Sequence, residues 1–84
     1  MKAIWHYTYA IQYYPISAIL LANRAMCFIK MKQWAQAIID CSLAISFDQT
    51  YLKAYWRRGI AAKNLGDHAM AENDFKFVLE HEKV

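Results

Sequence analysis

A chain of 84 residues with a formal charge of +3, one proline, two glycines and two cysteines has room for one small domain, near the lower size at which a single core holds itself together. Although 58% of it is hydrophobic and 15% aromatic, no stretch reaches the roughly 20 apolar residues that cross a bilayer. Nor does the N-terminus carry a basic region, an apolar core and a cleavage site. These features argue against a membrane span and a secretory leader, and the isolated thiols Cys27 and Cys41 fit buried, reduced side chains in a cytoplasmic protein.

The chain matches itself at an offset of 34 residues. Ala3 falls on Ala37, Ile4 on Ile38, Ala10 on Ala44, Ile11 on Ile45, Arg24 on Arg58, Ala37 on Ala71 and Asp40 on Asp74, with Ala25 meeting Gly59. A period of this length marks an all-α solenoid in which each helical hairpin buries its apolar face against its neighbours.

In chain order, five helices are expected, over about residues 3–13, 17–31, 34–46, 51–65 and 68–81. Pro15 closes the first, and Ser17 is the expected N-cap of the second. Lys32 and Gln33 fall where the repeat register requires a turn. Residues 47–50 form a polar break with Thr50 as the next cap, and Gly66-Asp67 supplies the same device before the last helix. Small residues at 25, 37, 59 and 71 mark close helix approach. Leu21, Phe28, Ile38, Ile45, Tyr55, Phe75 and Leu79 are expected to fill the space between helices.

A small residue at Ala25 or Gly59, alanine twelve positions later at Ala37 or Ala71, and an apolar residue four further on at Cys41 or Phe75 together resemble the tetratricopeptide repeat. The segment from Ala3 to Pro15 is similar to the second helix of such a repeat. The resemblance implies a right-handed superhelix in a single domain. Residues 1–15 would be the second helix of an incomplete repeat, and 16–49 and 50–84 two whole ones. Gln49 and Lys83 stand where a proline often closes the repeat, and Arg24 and Arg58 where leucine is usual. With neither a helix before residue 1 nor a polar capping helix after the last repeat, both ends are expected to expose apolar surface.

A polar residue that serves the scaffold should recur at its repeat position. Arg24 and Asp40 recur as Arg58 and Asp74, which predicts one ion pair within each hairpin. Other positions break the period: Asn23 becomes Arg57, and Ile19 becomes Lys53. Lys53 and Arg57 are four apart and share a helix face. Helix packing at roughly 8–10 Å would bring Asn23 beside them. An amide, an ammonium and a guanidinium together suit a carboxylate; a solvated basic face accounts for the same residues equally well.

The segments Asn-Arg-Ala at 23–25 and Lys-Ala-Tyr-Trp-Arg-Arg-Gly at 53–59 resemble the dicarboxylate-clamp class of tetratricopeptide domains found in co-chaperones. That resemblance implies an adaptor whose concave groove binds the acidic C-terminal tails, ending Glu-Glu-Val-Asp, of the seventy- and ninety-kilodalton heat-shock chaperones. Asn23, Lys53 and Arg57 match three clamp positions, while a further lysine and asparagine belong to a helix preceding this chain. Ile19, Ala22, Met26, Lys30, Trp56, Ile60 and Asn64 have the spacing to line the same groove. Of these, Met26, Trp56 and Ile60 would either hold an apolar side chain of the peptide or pack in the core. Trp5 and Trp34 are expected to pack on or cover the outer surface.

His6, His68 and His81 are too dispersed for a metal site. No phosphate loop or nucleophile signature appears, so neither catalysis nor a cofactor is expected. Lys53, Arg57, Arg58 and Lys63, interleaved with Tyr55 and Trp56, could form a nucleic-acid surface. Arg58 already has a scaffold role, however, and no nucleic-acid motif is present, so such a partner is not expected. The alternative to chaperone binding is a structural scaffold or self-association module with no functional carboxylate clamp, self-association running through the repeat ends.

Overall fold

The computed structural model describes residues 18–82. Within them lie four helices: α1 (Ala18–Lys30), α2 (Trp34–Phe47), α3 (Leu52–Leu65) and α4 (His68–His81). Each begins and ends within two residues of its expected bounds. The helix expected at 3–13, Trp5, His6, Pro15 and the Ser17 cap lie outside the described residues. No described helix is long and apolar enough to cross a membrane.

Helices α1 and α2 form one hairpin and α3 and α4 a second, with α2 packed on α3 and α1 reaching α3 as well. Alanine makes this stacking possible. Apart from Leu21 and Cys41, the fully enclosed apolar residues are alanines, whose single methyl lets helix axes approach closely. One cluster joins Ala18, Leu21 and Ala22 of α1 to Ala44 of α2 and Ala54 of α3. Another joins Ala25, Ala37, Cys41 and Ala61, with Phe28, Ile29, Trp34 and Ile38 packed against it. Cys41 is buried as expected, whereas Cys27 is only partly so, and both are free thiols.

Both hairpins turn through the same geometry. At the end of α3, Gly66 has φ 100°; its N–H donates to the Lys63 carbonyl and that of Asp67 to the Ala62 carbonyl. At the end of α1, Lys32 has φ 60°; its N–H donates to the Ile29 carbonyl and that of Gln33 to the Phe28 carbonyl. These are two Schellman closures one repeat apart. The Asp67 carboxylate accepts the Met70 N–H and caps α4, as expected.

The connection between hairpins departs from expectation at Thr50. Tyr51, not Thr50, occupies the N-cap position of α3 and offers no side-chain bond. The Thr50 amide and hydroxyl instead donate to the Asp48 carboxylate, at 3.0 and 2.6 Å. These bonds hold Asp48 below the usual carboxylate pKa. An acceptor two residues upstream closes a local turn that engages the threonine before it can cap. Leu79 also departs: it is 73% exposed, on the rim of a groove between α3 and α4 that no described residue covers.

The expected ion pairs are present. Arg24 donates to Asp40 through Nε and Nη2, each at 2.6 Å. Arg58 donates to Asp74 through the same two nitrogens at 2.8 Å and to the Ser42 hydroxyl at 3.3 Å. The carboxylates are 2% and 3% exposed. Their hydrogen bonds raise both arginine pKa values against the opposing effect of burial. Among the described residues, no buried side-chain polar atom lacks a partner.

Candidate functional site

The site is built where α1 runs beside α3. Arg57 lies on the α3 face turned to α1, and its Nη1 donates to two groups there: the Ala22 carbonyl at 2.9 Å and the Asn23 side-chain oxygen at 3.3 Å. Residues 34 apart thus meet directly, because successive hairpins stack in register. Ala22 has the spacing of a groove residue. Its part in the site is played by its carbonyl, for which no side-chain pattern gives a signal.

Lys53 lies one turn before Arg57 and is exposed. Neither residue forms an ion pair with a carboxylate among the described residues, whereas Arg24 and Arg58 do. Charge thus separates the scaffold arginines from the candidate site cations. The recurring arginines are neutralised within their hairpins, while the cations that break the period keep their charge for solvent or a ligand.

The remaining candidates spread along the same helices. Met26 is half-buried, one turn beyond Asn23, and Lys30 is exposed in the last turn of α1, where a cation also complements the helix dipole. Ile19 is exposed and Ile60 half-buried. Asn64 donates to the Ile60 carbonyl of its own helix at 2.8 Å, which commits part of its donor capacity. Trp56 is 49% exposed, and its ring meets that of Phe75 on α4 at 4.9 Å. Together with Lys53, Leu52, Val78, Leu79 and Glu82 it lines an apolar groove of about 410 Å³. Lys53 therefore stands between the polar cluster and an apolar opening, an arrangement that can hold an acidic group beside an apolar one. Trp34 lies against the second core cluster. Among the described residues, no cluster of three or more His, Cys, Asp or Glu side chains could hold a metal ion.

Comparison with known proteins gives no match to a family model. The chain is 43% identical over 79 residues to RNA polymerase II-associated protein 3 of Xenopus tropicalis, covering 94% of this chain and 12% of that protein. The human protein of the same name is 42% identical over 81 residues, covering 96% and 12%. The chain thus spans about an eighth of the length of these relatives. Among solved structures, the second TPR domain of Spaghetti (RPAP3) bound to the HSP90 peptide SRMEEVD superposes with a TM-score of 0.94 at 42% identity, covering 96% of this chain and 75% of that one. The second TPR domain of human RPAP3 in complex with the HSP70 peptide SGPTIEEVD gives 0.91 at 42% identity, covering 94% and 66%. With its hairpins, its alanine-lined contacts and a domain of known structure matched over three quarters of its length, the chain belongs to the tetratricopeptide-repeat family.

Proposed function

We propose that this chain is a peptide-docking module that binds the acidic C-terminal tail of the seventy- and ninety-kilodalton heat-shock chaperones along the face of α1 and α3. The observation that carries the reading is the pair of cations, Lys53 and Arg57, left without carboxylate partners beside the Asn23 amide. Lys53 and Arg57 supply charge to the carboxylates of the tail and Asn23 supplies an N–H. Met26 and Trp56 offer apolar contact to a side chain further upstream, and Lys30 a further cation at the end of α1. The similar domains bound to peptides ending in EEVD support the choice of ligand. On this reading residues 16–49 and 50–84 act as two repeats following the half-repeat of 1–15, and the chain is a cytoplasmic adaptor that binds rather than catalyses.

Calorimetric titration with SRMEEVD and with its C-terminally amidated form tests this. The free acid is expected to bind more tightly, because amidation removes a carboxylate. Lys53→Ala should weaken the free acid by roughly 10- to 100-fold, the loss of one charge-assisted hydrogen bond, with unchanged helicity. Equal affinity for both peptide forms, or no binding of either, sinks the reading.

A further inference from the structure

We infer that Arg57 is a positioning residue: it sets the orientation of the Asn23 carboxamide, so that Asn23 meets a ligand as an N–H donor. The inference rests on the carboxylate-binding reading of the groove and adds to it a division of labour within the site.

A guanidinium has five N–H donors and no acceptor, whereas a carboxamide has an oxygen on one side and an NH2 group on the other. Next to Arg57, the Asn23 carboxamide can only present its oxygen, and it does so at 3.3 Å. Its Nδ2 is then directed away from Arg57, and no described residue accepts a hydrogen bond from it. Without Arg57, the carboxamide could turn its oxygen outward as readily, presenting an acceptor to an anionic ligand.

Arg57 is itself held. Its Nη1 also donates to the carbonyl of Ala22 at 2.9 Å, a bond to the backbone of the fully buried residue that precedes Asn23. One nitrogen thus binds two successive residues of α1, and the half-buried guanidinium cannot follow the carboxamide if it rotates. The orientation is set before a ligand arrives, so the ordering cost falls on folding rather than on binding. Arg57 retains Nε and Nη2 for the ligand, and its charge and its positioning role are therefore separable by substitution.

Arg57→Lys separates them, because lysine keeps the charge and the helix propensity but lacks the forked, planar donor group. Two measurements on the full chain decide the matter. In ligand-free protein, NMR relaxation of the Asn23 side-chain NH2 should show restricted motion in the wild type and free rotation in Arg57→Lys and in Arg57→Met. In titrations with SRMEEVD, Asn23→Ala should cost about tenfold in the wild-type background and less than threefold in the Arg57→Lys background. Unchanged Asn23 mobility in both Arg57 variants, or an equal cost of Asn23→Ala in both backgrounds, overturns the proposal. Failure of the wild type to bind the peptide overturns the carboxylate reading instead, and the ligand-free measurement then decides the positioning role alone.

Discussion

Asp40 and Asp74 are almost wholly enclosed, and each receives two N–H groups from an arginine on the preceding helix. A buried carboxylate is costly unless its lone pairs are occupied, and the fork of an arginine occupies them in one geometry. The pairs therefore act as alignment pins within each hairpin more than as a source of net stability. Removing one partner leaves the other charge partly buried and unmatched. Asp40→Ala is expected to lower the unfolding free energy by about 3 kcal/mol, measured as a lower urea midpoint with an unchanged slope. These pairs were legible in the sequence because both members recur at 34 residues. The Arg57 contacts were legible only in part: spacing brings Asn23 near, but nothing in the residue types indicates that the Ala22 carbonyl accepts from the same nitrogen.

At the scale of helices and turns, the same structural problem is solved with different residues in the two hairpins. Gly59 lies so close to α4 that an added Cβ would stand 2.5 Å from the Phe75 ring. Its repeat counterpart, Ala25, shares a cluster with Cys41, the smaller counterpart of Phe75, and carries a methyl there without conflict. The two hairpins thus place their small and larger residues on opposite sides of the same contact. The turns show a less even exchange. Gly66 takes its left-handed conformation without steric cost, whereas Lys32 pays for the same closure with a Cβ in the wrong region. Lys32→Gly is therefore expected to raise stability by about 1 kcal/mol, seen as a higher melting temperature with unchanged peptide affinity. Glycine at 66 announced its turn in advance. Lysine at 32 did not, and only the repeat register pointed there. Thr50 illustrates the converse: a good capping residue, engaged by Asp48, leaves the cap to its neighbour.

For the molecule as a whole, α1, α2 and α3 meet in two buried clusters, one of them around Ala25, Ala37, Cys41 and Ala61. Cys41 at this junction titrates far from its usual range. Burial, and then the Asp40 charge, push its thiol pKa from 9.0 up to about 12, although Arg57 and Arg58 act in the opposite direction. The unfolded chain releases this proton near pH 9 and the folded chain only near 12, so between those values the unfolded state binds fewer protons and stability falls as pH rises. The stability difference between wild type and Cys41→Ala should shift by about 1.4 kcal/mol against the wild type from pH 8 to 10, measured by urea denaturation of both proteins. A difference independent of pH would show that the thiol ionises normally in the fold.

The sequence by itself determined that this chain is a helical repeat, where its hairpins turn, and which arginines belong to the scaffold. The repeat, the scaffold arginines and the turn at Lys32 follow from periodicity, which one-dimensional order preserves, and the turn at Gly66 follows from its residue type. Only the tertiary structure decided that Arg57 is shared between a backbone carbonyl and Asn23, that Trp56 leans on Phe75, and that Leu79 stands on an open rim. Those outcomes depend on the distance and rotation between packed helices. Small residues permit that geometry, but it is set by the summed fit of both hairpins.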